Sequence, residues 1–211
     1  MKLILASDLS FLLKYGYDLT GIPKDQMKIG YVTTASKVAR PEYVSFFENV
    51  KKTIGENGYN FEEIDIVGKT KDELKNFFVD KNVIHLEGGN TFYLLKAIRE
   101  TGFGEILREL LEDGKVYIGT SAGAYVVCPT IEVSNWHENG KDRFGIIDFT
   151  ALDFTPFVLK VHYKDEEKED VIENTKTLKY PLHILKDGQG ILFEDGKTTF
   201  VGDGEEVLIN P

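Results

Sequence analysis

The chain has 211 residues, 42% of them hydrophobic and 28% charged, with a formal net charge of −10. That length buries one sizeable core, the composition is that of an ordinary globular protein, and the acidity argues against a nucleic-acid groove as its main business. No window approaches the roughly 20 apolar residues of a membrane span, and one cysteine, Cys128, excludes an internal disulfide and suits a reducing cytoplasm.

Residues 2–6 read as a strand that turns polar at Ser7-Asp8, the pattern of a first strand rather than a signal peptide. Residues 16–25 read as a loop holding at most a turn of helix. A second strand covers 28–33 and ends in the small polar run Thr34-Ala35-Ser36. The spacing predicts a helix over 41–54: Pro41 suits its first turn, Val44, Phe47, Val50 and Ile54 share one face, and Gly55 and Gly58 mark its end. A third strand is expected over 61–67. Thr70-Lys71-Asp72-Glu73 is a capping box that opens a short helix with Leu74, Phe77 and Phe78 on its buried side.

Residues 82–86 form a fourth strand, running into Glu87-Gly88-Gly89-Asn90-Thr91-Phe92 and a helix carrying Leu94, Leu95 and Ile98. A helix over 105–112, closed by Gly114, precedes the strand that begins at Val116. This alternation implies an α/β fold, a mostly parallel sheet with helices on both faces. Beyond Cys128-Pro129 the character changes. A strand is expected over 130–133, a polar loop over 135–143, a strand over 157–163 and a charged helix over 165–177. Asp187-Gly188, Asp195-Gly196 and Asp203-Gly204 punctuate the tail and favour hairpins. With no repeat or linker, residues 1–211 read as a single domain that ends in a C-terminal β meander.

The chemistry centres on Gly119-Thr120-Ser121-Ala122-Gly123, a G-x-S-x-G run between a strand and a helix start. In that setting a sharp turn lifts the serine hydroxyl above the end of a sheet, and the next N–H, of Ala122, faces a developing oxyanion. A serine nucleophile needs a base, and four histidines compete for the role. His85 and His183 sit in apolar runs and read as core residues, while His137 lies in the polar loop. His162 falls at the end of a strand, where the reacting groups of open α/β sheets gather, and is the candidate base. Gly88-Gly89 after the fourth strand offers further oxyanion N–H groups, or simply a tight turn capped by Asn90 or Thr91. With no H-E-x-x-H and one cysteine, neither a metal nor a cofactor is expected.

The Glu-Gly-Gly-Asn-Thr-Phe run at 87–92 and the Gly-Thr-Ser-Ala-Gly-Ala run at 119–124, continuing to Cys128-Pro129-Thr130-Ile131, resemble the dipeptidase E (α-aspartyl dipeptidase) family of serine peptidases. The segment from Ala151-Leu152-Asp153 through His162-Tyr163 resembles the one in which that family carries its catalytic histidine. The resemblance implies a fold like class I glutamine amidotransferase domains, with serine where those enzymes have cysteine, and cytoplasmic hydrolysis of small peptides without a metal. It makes Ser121 the nucleophile, His162 the base, and Gly88 or Gly89 with Ala122 the oxyanion hole.

Two departures stand out. Where the family has an acid after a Thr-Asn pair, this chain has Ser134-Asn135-Trp136. A second family carboxylate precedes a glycine in the tail, so Asp187 is the first choice for the third triad member and Glu138 the second. Asp187 equally suits a hairpin turn, and Glu138 a solvated loop. In place of the arginines that hold an aspartyl side chain in the family, the chain reads Lys164-Asp165-Glu166-Glu167-Lys168-Glu169-Asp170. That leaves Lys160, Lys164 and Arg143 as weak carboxylate partners and gives no support to aspartyl preference. Two other readings remain open, cyanophycinase-like cleavage of β-aspartyl amides and a binding or regulatory module without turnover. A glutamine amidotransferase is disfavoured, because Cys128 lies beyond the turn rather than in it.

Overall fold

The structure, a computed structural model, describes residues 1–136 and 144–208. Five short runs become the parallel strands β1 (Lys2–Ala6), β2 (Ile29–Val32), β3 (Phe61–Ile64), β4 (Val83–Leu86) and β5 (Val116–Thr120). With β8 (Gln189–Glu194) and β9 (Lys197–Gly202) they form one seven-stranded sheet in the order β3-β2-β4-β5-β1-β8-β9. Side chains alternate between its two faces. Leu3, Leu5, Ile84, Leu86 and Tyr117 join one core, and Ile4, Ala6, Val83, Val116 and Ile118 the other. Burial on both faces is why β1, β2, β4 and β5 read as near-continuous apolar runs, whereas β3, at the edge, exposes Glu62 and Glu63.

The first core is closed by α3 (Lys71–Phe78), α4 (Thr91–Thr101) and α5 (Phe103–Glu112). The capping box at Thr70 and Glu73 forms as expected. Asn90 caps α4 by accepting from the Tyr93 N–H (2.8 Å), and Gly102, at φ +68°, separates α4 from α5. The second core is covered by helical turns that follow β1, including α1 (Leu9–Phe11), and by α2 (Pro41–Glu56). The helical content after β1 exceeds the loop expected there. Only the C-terminal half of α2 docks. Ile54 is buried, whereas Val44 and Phe46 are more than half exposed, so the predicted apolar face does not bury along its whole length.

Three segments depart from expectation. Residues 130–133 make no strand; one bridge joins Thr130 to Thr150 and a 3-10 turn runs over Glu132–Trp136. There the Thr130 hydroxyl accepts from the Glu132 N–H (3.1 Å), and Ile131 and Val133 enter the core instead of extending the sheet. The expected strand over 157–163 shortens to β6 (Val158–Lys160), because side chains take its next N–H groups: Val161 donates to the Tyr125 hydroxyl (3.2 Å) and His162 to Ser7 Oγ (2.9 Å). The charged helix splits into a 3-10 turn, Asp165–Glu167, and α7 (Lys168–Thr175).

Of the C-terminal strands, β7 (Leu182–Ile184) pairs in parallel with β6, apart from the main sheet. β8 and β9 form an antiparallel hairpin through Asp195-Gly196, both at positive φ as a two-residue hairpin turn requires, and β8 joins the main sheet at β1. Asp187-Gly188 carries the chain from one sheet to the other rather than turning a hairpin.

Gly123, in α6 (Ala122–Tyr125), tests this packing, because a Cβ there would lie 2.1 Å from the Leu86 carbonyl oxygen. Gly123→Ala is expected to destabilise by about 1–3 kcal/mol or more. Gly55→Ala, in the last turn of α2 with its nearest neighbour at 3.9 Å, is expected to stabilise by about 0.4–1 kcal/mol. Urea unfolding of both variants checks the contrast.

Candidate active site

Between β5 and α6 the chain reverses within two residues. Ser121 sits at φ +51° and ψ −105°, a conformation that a non-glycine residue adopts only when its surroundings impose it. The Ser121 N–H continues the sheet by donating to the Ala6 carbonyl (3.0 Å), while its own carbonyl starts the helix by accepting from Ala124 (2.9 Å) and Tyr125 (3.1 Å). Two glycines permit the reversal. A Cβ on Gly119 would meet the Gly123 carbonyl oxygen at 2.5 Å, so the turn closes on itself without side chains. Tyr117 OH, donating to the same carbonyl (2.6 Å), ties the strand to the helix.

His162 and Asp187 come from the small β6-β7 sheet. Tyr163 N–H donates to the Leu185 carbonyl (3.0 Å), which brings the segment after β7 alongside the one after β6. His162, at φ +53°, turns its imidazole so that Nε2 lies 3.0 Å from Ser121 Oγ and Nδ1 lies 2.6 Å from Asp187 Oδ1. The His162 hydrogen bond holds the Asp187 carboxyl below its usual range against the opposing effect of burial. Ser121, His162 and Asp187 therefore form one hydrogen-bonded chain, at the ends of strands from two different sheets.

Ser7 was not singled out from the sequence. It is wholly buried at the end of β1, accepts the His162 N–H (2.9 Å) and donates to Asp187 Oδ1 (2.9 Å). One hydroxyl thus pins the strained backbone of the imidazole and the carboxylate at once. Asp8 fixes the adjoining turn by accepting the Gly188 N–H (2.9 Å). The available signal was position, since Ser7 directly follows a central strand at its carboxyl end.

Gly88 and Gly89 flank Ser121 on the β4 side. A Cβ on Gly88 would lie 3.2 Å from the Ser121 Cβ; Gly89 has φ +139°, and a Cβ there would meet the Ala35 carbonyl oxygen at 2.3 Å. Among the described residues neither glycine's N–H is used in a backbone hydrogen bond, and Ala122 opens α6, where an N–H has no intrahelical acceptor. These are the donors expected around an oxyanion.

Two cavities meet at Ser121 and His162. The outer one, about 630 Å³, is lined in part by Arg40, Tyr43, Asn90 and Lys164. The inner one, about 160 Å³, runs past Gly88 toward Tyr31, His85 and Glu87. Burial pushes the Glu87 carboxyl up to about 7, although Ser36 Oγ donates to its Oε1. Burial also lowers His85 to about 3, so this ring stays neutral with Nε2 2.9 Å from Thr120 Oγ1.

His85 is buried as the sequence suggested, and His183 is partly so, bonded to Glu206 (2.8 Å). His137, Glu138 and Arg143 lie outside the described residues. Lys160 is buried against Glu167 (3.0 Å), which commits its charge and corrects its standing as a carboxylate partner; Glu167 is correspondingly more than a solvated helix residue. Cys128 is buried, and burial pushes its thiol up to about 12. Among the described residues no cluster of three or more His, Cys, Asp or Glu is arranged to hold a metal ion, and no helix is long and apolar enough to cross a membrane.

A parallel α/β sheet that presents a serine, a histidine and an aspartate in hydrogen-bonded sequence has the architecture of a serine hydrolase. The chain belongs to peptidase family S51, whose model matches residues 12–201. An uncharacterized peptidase of Pasteurella multocida is 29% identical over 196 residues, which cover 90% of this chain and 92% of that one. A peptidase E of Nostoc is 28% identical across 83% of this chain and 73% of its own. The crystal structure of a candidate peptidase E from Listeria monocytogenes superposes with a TM-score of 0.80 over 96% of this chain and 98% of that chain, at 24% identity, a likeness of fold. The chain is a serine-type peptidase similar to dipeptidase E.

The raised Glu87 carboxyl ties stability to pH. Unfolded, this group loses its proton near 4.5; folded, it keeps the proton up to about 7. Its contribution is therefore fully present below about 4.5 and is lost as pH rises through about 7. Glu87→Gln is expected to flatten the fall in melting temperature over that window. An equally steep fall in the variant counts against a raised Glu87.

Proposed function

We propose that Ser121, His162 and Asp187 are the catalytic triad of a peptidase that cleaves short peptides in the cytoplasm. One observation carries the reading: His162 spans from Ser121 Oγ at 3.0 Å to Asp187 Oδ1 at 2.6 Å. Asp187 accepts the Nδ1–H and so leaves Nε2 as the base that takes the serine proton. Oγ attacks the scissile carbonyl, whose oxygen moves toward the N–H groups of Ala122 and the Gly88-Gly89 turn. The imidazolium then gives its proton to the departing amine. Water, deprotonated by the same imidazole, releases the acyl group from Ser121. These steps need no metal. Asp187 fills the acid role, so Trp136 at the expected acid position does not by itself argue for a module without turnover.

Substrate size follows from the site. The outer cavity that reaches Ser121 is lined by Arg40 and Lys164 as well as Glu166 and Glu167; with Glu167 paired to Lys160, the two cations suit the free carboxylate of a short leaving group. Aspartyl specificity is not part of the proposal, since Asp165 and Glu166 follow where a cation is needed.

A fluorophosphonate probe is expected to label the native protein and not Ser121→Ala. Labelling that persists in the variant removes Ser121 from the mechanism. Asp187→Asn is expected to lower kcat on the order of 10⁴-fold, measured by release of free amine from a dipeptide panel. Ser7→Ala removes the hydroxyl shared by His162 and Asp187. It is expected to lower kcat by roughly ten- to a hundredfold with KM nearly unchanged, as loss of one or two buried hydrogen bonds implies. A rise in KM at constant kcat contradicts the positioning role.

A further inference from the structure

The inner cavity is not used by the triad, yet it opens onto Ser121. Its rim is apolar and partly exposed, with Phe46, Phe47 and Val50 from α2, and its deepest residues are Tyr31, His85 and Glu87, each at most 2% exposed. Three buried polar atoms there, Glu87 Oε2, Tyr31 OH and His85 Nδ1, make no hydrogen bond of ordinary geometry among the described residues, although the Tyr31 hydroxyl and the Glu87 carboxyl lie close enough to interact with each other. Leaving several such groups unmatched in one place is costly, and it points to a guest that supplies the partners. The volume, about 160 Å³, is close to the roughly 150 Å³ that accommodates a single benzene ring. Apolar walls therefore set the shape of the guest, and the polar end asks for a hydroxyl at its tip.

We infer that this cavity is the side-chain pocket for the acyl residue of the substrate and that it takes tyrosine. The inference rests on Ser121 as the nucleophile. The acyl side is assigned here because the outer cavity is lined by Arg40 and Lys164 as well as by Glu166 and Glu167, the last of which is paired with Lys160, so it offers cations for the carboxylate of the leaving residue where the inner cavity offers none. A phenol fits on both counts. Its ring lies between the α2 side chains, and its hydroxyl donates to Glu87 Oε2 or accepts from Tyr31. Phenylalanine fills the same space and leaves the polar atoms unmatched. Aspartate puts a second carboxyl beside Glu87, and the lining of this cavity includes no lysine or arginine to receive it. The residue just ahead of the Gly88-Gly89 turn thus selects the substrate, while the turn itself serves the carbonyl.

Two measurements test the inference separately from the triad. The first is binding of p-cresol to the Ser121→Ala protein, followed by thermal shift against toluene. A larger shift with p-cresol, lost in Val50→Trp, which fills the cavity, is expected. No shift, or the same shift in Val50→Trp, overturns the pocket whatever the state of the nucleophile. The second is kcat/KM for Tyr-Ala, Phe-Ala and Asp-Ala dipeptides with the native protein. Tyr-Ala is expected to exceed Phe-Ala by at least tenfold and Asp-Ala by at least a hundredfold, since a site built to bond a hydroxyl rejects the analogue that lacks it. Equal or better turnover of Asp-Ala overturns the assignment. Absence of fluorophosphonate labelling at Ser121 sinks the triad reading instead, while p-cresol binding still decides whether the pocket exists.

Discussion

The close approach of β5 to α6 is the constraint on which the rest of the site depends. Gly119 lies under the Gly123 carbonyl, and Gly123 lies against the Leu86 carbonyl, at separations that leave no room for a Cβ. With those contacts made, Ser121 has one place to go, and it goes there at a positive φ. The strain is local and is held by ordinary interactions on either side, a sheet hydrogen bond to Ala6 before the serine and helical bonds from Ala124 and Tyr125 after it. A side chain fixed in this way loses little further freedom when a substrate arrives, which is the physical content of preorganisation.

The same device recurs at His162. This residue is also at positive φ, and its N–H is taken by a side chain, Ser7, rather than by a neighbouring strand. Ser7 directly follows β1, the strand that joins the parallel half of the sheet to the antiparallel hairpin. The hydroxyl therefore locks the small β6-β7 sheet to the large one at the point where their chemistry meets. Nearby, the pairing of buried Lys160 with half-buried Glu167 secures the start of the acidic segment. Removing Glu167 takes a carboxylate away from the buried Lys160 ammonium, so the acidic run that follows His162 has a structural duty as well as a surface.

The residues around Glu87 give the site a second character. A serine, a histidine and an aspartate are generic equipment for acyl transfer, whereas the adjacent cavity is particular to its lining. Membership of peptidase family S51 accounts for the reaction class. It leaves the choice of substrate to side chains such as Phe47, Val50 and Glu87, which surround the nucleophile without taking part in bond making.

Much of this was legible in the order of residues. The alternation of apolar runs with capped helices defined the parallel sheet, because burial on both faces leaves a compositional trace that needs no distant partner to read. The glycines at 88, 89, 119 and 123 marked close backbone approaches, since a missing Cβ is itself the signal, and the serine between the last two followed from them. The place of His162 at a strand end was readable for the same reason. Other features depended on what lies across the fold. Residues 130–133 carry strand-like side chains, yet a threonine hydroxyl and the core claimed them. Asp187 was weighed against a loop glutamate, and only the pairing of β6 with β7 puts it against His162. Ser7 offered only its place after a strand, because a hydroxyl that joins residues 155 and 180 positions away has no local pattern of its own. Periodicity and missing side chains are properties of a short stretch of chain, so sequence alone determined the sheet and the serine turn. A hydrogen bond between distant segments exists only once the backbone has closed on itself, so the contact of Asp187 with His162 and its anchor at Ser7 came from the tertiary structure.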